Sequence, residues 1–127
     1  MPVAWRRTLL PQVLDDLRAL AEVDEELVDA ALRAINDLAG RRRIGKALGA
    51  RLVSGDLEGC RRLRFDLSGR RPERYRVVYR LRPSEDRPDT AEVISVGPRG
   101  GHAVYREAVA RLEFRPGNGE GAEEKTR

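Results

Sequence analysis

The sequence predicts an α+β fold: a two-helix hairpin packed on one face of a small antiparallel sheet, with a short C-terminal helix. Three observations point there. Apolar residues recur at helical spacing through the first third, the spacing switches to alternation after Gly59, and a last helical stretch follows Gly100 and Gly101. At 127 residues the chain has the size of one domain. Its 40% hydrophobic residues suffice for a modest two-layer core.

The elements follow in order. A short opening strand is expected over Val3 to Arg7. Leu10, Val13, Leu14, Leu17 and Leu20 or Ala21 then share one helical face, with Pro11 in the first turn, where its missing N–H is harmless. Asp24 is placed to cap a second helix, in which Leu27, Val28, Ala31, Leu32, Ile35 and Leu38 line one side and Gly40 ends the run. Arg41-Arg42-Arg43-Ile44-Gly45-Lys46 opens a loop-like stretch to Gly59, with turn signals at Ser54-Gly55-Asp56.

From Arg61 to Leu67 the residues alternate, Leu63, Phe65 and Leu67 on one side, Arg62, Arg64 and Asp66 on the other. Ser68-Gly69-Arg70-Arg71-Pro72 reads as a turn, Tyr75 to Leu81 as the next strand, and Pro83 to Asp89 as a polar loop. Ala91 to Gly97 is apolar enough for a strand buried on both faces. A short helix is expected from His102 to Leu112. Residues 1–114 read as one domain and residues 115–127, which lack periodicity, as a disordered tail.

The net charge of +4 is unevenly placed. Residues 1–40 hold 4 arginines against 8 acids, and residues 83–127 hold 7 basic residues against 9 acids. Residues 41–82 hold 14 basic residues against 4 acids, so the positive field belongs to the middle third. Such a block inside a folded core reads as a footprint for a polyanion, its plain alternative being a solvated charged surface. Lys46 and Lys125 are the only lysines; arginine is the better bidentate phosphate ligand.

A lone cysteine, Cys60, excludes an internal disulfide and a cysteine zinc cluster, which fits a reducing, cytoplasmic compartment. No apolar leader follows the basic start, and no apolar run is long enough to span a bilayer. Membrane partners are therefore not expected. Gly97-Pro98-Arg99-Gly100-Gly101 is glycine-rich but lacks the lysine and serine of a phosphate-binding loop, so a nucleotide or other small-molecule cofactor is not expected either.

Four blocks, in order, carry a resemblance: Asp56-Leu57-Glu58-Gly59-Cys60-Arg61-Arg62-Leu63-Arg64, Tyr75-Arg76-Val77-Val78-Tyr79, Val93-Ile94-Ser95-Val96-Gly97-Pro98-Arg99, and Val104-Tyr105-Arg106-Glu107-Ala108-Val109. Across roughly residues 44–112 the chain resembles the RelE/ParE superfamily of type II toxin–antitoxin systems, on its RelE-like mRNA interferase branch. The resemblance implies a RelE/ParE-like fold and a toxin held silent by a cognate antitoxin. It also implies an endoribonuclease that cuts mRNA on the ribosome, at the 16S rRNA decoding region, and stops translation. Carried over residue by residue, it implies catalytic roles for Arg62, Arg64, Arg76, Arg99 and Tyr105. Other readings of the same fold are a ParE-like toxin that binds gyrase and cuts nothing, and an RNA-binding protein with little catalysis.

Metal-free RNA cleavage needs an activated 2′-hydroxyl, a stabilised pentacoordinate phosphorus and a protonated leaving oxygen. Converging guanidiniums meet the second need. The other two are poorly met, because free arginine has a pKa above about 12 and tyrosine about 10. Where some family members carry middle-strand lysines, this chain has Arg62 and Arg64, which leaves the general base unassigned. His102 is a candidate proton donor, its plain alternative being an exposed helix-start residue. Arg41, Arg42, Arg43, Lys46 and Arg61 are candidates for gripping the RNA backbone. Arg76 also has a plain reading, as a partner for Asp66 or Glu73. Trp5 and Tyr79 read as packing residues, and Cys60 as a half-buried strand residue rather than a reactive thiol.

Overall fold

The computed structural model describes residues 3–49 and 55–113. The two expected helices are α1 (Val13–Val23) and α2 (Glu25–Ala39). Asp24 alone joins them, and its carboxylate caps α2 by accepting from the Glu26 amide at 2.9 Å. The apolar stripe of α2 is buried through Leu27, Ala30, Ala31, Ala34, Ile35 and Leu38. By contrast α1 buries only Val13 and Leu20.

Among the described residues, five strands form one sheet in the order β1-β5-β4-β3-β2. They are β1 (Arg6–Leu9), β2 (Lys46–Ala47), β3 (Cys60–Phe65), β4 (Tyr75–Arg82) and β5 (Thr90–Pro98). Three of the pairings are antiparallel, as expected, and β1 adds a parallel one to β5. The opening strand lies three residues later than expected, because Leu10, Pro11 and Gln12 make a turn and α1 starts only at Val13. The stretch read as loop after Arg43 contains β2, whose two residues pair with Arg62 and Arg61. Part of that loop and the expected tail lie outside the described residues.

Alternation along β3 and β4 gives the sheet two different faces. Leu63, Phe65, Val77 and Tyr79 are buried on the hairpin side. Tyr79 is wholly buried, and its hydroxyl accepts a 2.6 Å hydrogen bond from the Gly45 amide. A side chain at Gly45 would put its Cβ 2.1 Å from the Arg62 carbonyl oxygen, so only glycine fits there. Burying each large side chain of this core contributes roughly 1.5–3 kcal/mol.

The other face carries Arg62, Arg64, Arg76 and Arg80. It is partly covered by α3 (Ala103–Glu113), which follows a 3-10 turn at Gly100–His102. The Ser95 hydroxyl donates to the Val104 carbonyl at 2.8 Å, and Val104 lies close over Gly97. Gly101 and His102 both take left-handed backbone, φ 65° and 61°, which turns the chain back over β5. Since α3 packs mainly on β5, Arg62 and Arg64 of β3 keep access to solvent, whereas Arg76 at the start of β4 is buried.

Candidate functional site: an arginine-lined cleft

Cross-strand register builds the site. Arg64 stands directly opposite Arg76, and Arg76 opposite Gly97. Beside them the chain leaves β5 through Pro98, Arg99 and Gly100. The result is a cleft of about 620 Å³ lined by Arg64, Arg76 and Arg99. It adjoins a second groove of about 500 Å³ lined by Arg43, Lys46, Arg62 and Arg64. Among the described residues, Glu73 is the one carboxylate that lines either space, and it lines both.

Arg76 is 5% exposed. One terminal nitrogen donates to the carbonyls of Glu73 and Tyr75, both at 2.9 Å. Its Nε–H is buried with no acceptor. Burial pushes the Arg76 pKa down from its usual value, the Tyr105 hydroxyl opposes that, and Arg62 and Arg64 add to it. Like any guanidinium it remains a cation at neutral pH. An acceptor, best an anion, is the partner this donor lacks.

The structure brings together Arg62, Arg64, Arg76, Arg99 and Tyr105. Tyr105 is buried on α3, its hydroxyl beside Arg76. The His102 ring lies 6.1 Å from the Tyr105 ring, next to the group but outside the cleft lining. Arg76 pairs with neither Asp66 nor the Glu73 side chain. Asp66 is taken by Arg74, which grips both its oxygens at 2.8 and 2.9 Å.

The candidate backbone-binding residues divide. Lys46 and Arg43 lie along the second groove, where Arg43 donates to the Arg64 carbonyl at 2.7 Å. Arg41 stacks on Trp5 at 4.7 Å, and Arg42 pairs with Asp37 at 3.1 Å. Arg61 points to the hairpin side of the sheet, bound to Glu85 at 3.0 Å and to the Gly45 carbonyl at 2.7 Å. Its bond to Glu85 raises its pKa further above the usual value. Charge on these three is already met within the chain.

Cys60 is 2% exposed, and burial pushes its thiol up to about 11, so it is a packing residue. No helix among the described residues is long and apolar enough to cross a membrane. Two features escaped the sequence: Glu73, which reads there only as an ion-pair partner, and the fastening of α3 by Asp16 and Arg111.

Fold and site together define a class of small basic α+β proteins whose open sheet face presents converging arginines. The chain belongs to the family described as the ParE toxin of the type II toxin–antitoxin system, parDE, whose sequence model matches residues 8–102. It is thus a toxin of the RelE/ParE superfamily, and membership implies a cognate antitoxin. Its fold is similar to that of Escherichia coli toxin RelE, solved as a double arginine-to-alanine mutant in the free state. The TM-score is 0.55 at 23% identity, over 86% of this chain and 98% of that one. No curated protein sequence matches the chain.

Proposed function

We propose that this toxin grips one phosphate of an RNA strand in the arginine cleft and cleaves mRNA held in the ribosomal decoding region. The observation that carries this reading is the buried, acceptor-free Nε–H of Arg76, set between Arg64 and Arg99. Forked donors aimed at one oxyanion stabilise charge that develops on phosphorus. A protein-binding toxin has no need of such convergence. Tyr105, itself buried, holds a hydroxyl beside Arg76, where it positions the guanidinium. The ribosome then fixes the strand, which a chain this small cannot enclose.

Single-turnover cleavage of mRNA on programmed ribosomes tests the reading. Arg76→Ala should lower the rate on the order of 10²–10³-fold. The family description, a ParE toxin, favours a second reading in which the same face binds gyrase and cuts nothing. Intact mRNA together with altered DNA supercoiling would decide for it.

A further inference from the structure

We propose that Glu73 is the proton acceptor of the cleavage reaction, an inference that rests on the nuclease reading above. The sequence left this role empty, since arginines stand where a titratable amine was sought. The fold fills it from outside the strands. Glu73 sits just before β4, at the meeting point of the two arginine-lined spaces, with its side chain 22% exposed. Its own main-chain carbonyl holds Arg76, so the carboxylate and the buried guanidinium are fixed to one short segment.

Among the described residues, nothing else uses this carboxylate strongly. Its ion-pair partner is Arg71, at a loose 3.8 Å from an arginine side chain that is 68% exposed. The nearby acids Asp66 and Asp37, by contrast, are held by Arg74 and Arg42. A glutamate is ordinarily ionised at neutral pH. It can therefore take a proton that neither a guanidinium nor a neutral tyrosine can.

In the step proposed, Glu73 takes the proton of the 2′-hydroxyl as that oxygen bonds to phosphorus. The bond from phosphorus to the 5′-oxygen breaks, and the departing oxygen takes a proton from water. Glu73 then gives its proton to the hydroxide left behind. The products are a 2′,3′-cyclic phosphate and a 5′-hydroxyl. Arg64, Arg76 and Arg99 hold the phosphoryl oxygens throughout.

The experiment compares the full-length chain with Glu73→Gln, Glu73→Asp and Arg76→Ala. Each is assayed for single-turnover cleavage on programmed ribosomes, binding of the same RNA, and thermal unfolding. Glu73→Gln should keep the wild-type melting temperature and bind RNA at least as tightly, because a negative charge has left a cationic cleft. Its cleavage rate should fall by about 10²–10⁴-fold, with part regained in Glu73→Asp. Wild-type cleavage by Glu73→Gln overturns the proposal while leaving the nuclease reading intact. Loss of RNA binding in step with rate overturns it too, since Glu73 would then only arrange the arginines. Should wild-type protein leave the RNA uncut, the nuclease reading itself falls and takes this inference with it.

Discussion

Asp16 of α1 and Arg111 of α3, 95 residues apart, clasp each other at 2.7 and 2.8 Å and together finish the edge of β5. β1 covers that edge only as far as Val93. Beyond it Asp16 accepts from the Val96 amide at 2.9 Å and Arg111 donates to the Ile94 carbonyl at 2.9 Å. Two side chains thus do what a neighbouring strand does elsewhere, and they tie α1, β5 and α3 at one point. With Arg111 only 9% exposed, the pair is largely removed from water.

Breaking this clasp should be among the costliest polar changes in the molecule. Arg111→Ala leaves a half-buried carboxylate and an open carbonyl, a loss on the order of 3–5 kcal/mol. Asp16→Asn keeps an acceptor for Val96 and should cost less. Urea unfolding of both variants measures the difference, and equal stability of Arg111→Ala and wild type would refute the role.

The turn between β3 and β4 should show its own pH signature. Arg74 chiefly, through its side chain and then its amide, holds the Asp66 carboxyl well below the usual carboxylate range. A folded-state pKa below the unfolded one gives a contribution fully present above about pH 4 and lost as pH falls further. The stability gap between wild type and Asp66→Asn should therefore be flat near neutrality and narrow below about pH 4. A gap that stays constant down into strong acid would count against the pairing.

Cys60 offers a probe of opening. Its thiol, raised to about 11 by burial, should react slowly with a disulfide reagent at pH 8 and at the ordinary rate in denaturant. Fast labelling of the native protein would place the thiol outside the core.

The division of arginines should appear in salt dependence. Arg64→Ala, in the open cleft, should reduce the slope of log affinity for RNA against log salt by about one. Arg61→Ala, tied to Glu85 on the other side, should leave the slope unchanged. Similar slopes for the two variants would mean that RNA does not lie on the open face.

The antitoxin should be drawn in by the same field. Its association rate should fall as salt is added, because the middle third of the chain is strongly basic. Stopped-flow mixing across a salt series measures this, and a salt-insensitive rate would exclude electrostatic steering.

Much of this was legible in the sequence, for local reasons. Asp24 caps α2 as a short polar residue before an apolar helix should, and the alternation around Leu63 and Phe65 sets Arg62 and Arg64 on the open face. β2 was not legible, because two residues carry no period. Nor was β1 in its true place, since Leu10 and Pro11 continue the apolar pattern while turning the chain. The Asp16–Arg111 clasp and the place of Glu73 depend on segments that meet only after folding. Alternation already separates Arg61 from Arg64, but that Glu85, across a polar loop, takes up the Arg61 charge shows only in the fold.

The last described helix carries both the Tyr105 hydroxyl and the Arg111 clasp, and this has a consequence for timing. During synthesis the hairpin and the strands are made first. Until α3 arrives, the Ile94 carbonyl at the edge of β5 lacks Arg111 and Arg76 lacks the hydroxyl beside it. Chain order therefore sets an order of assembly: the surroundings of Arg76 and the clasp on β5 are completed only once α3 has been made.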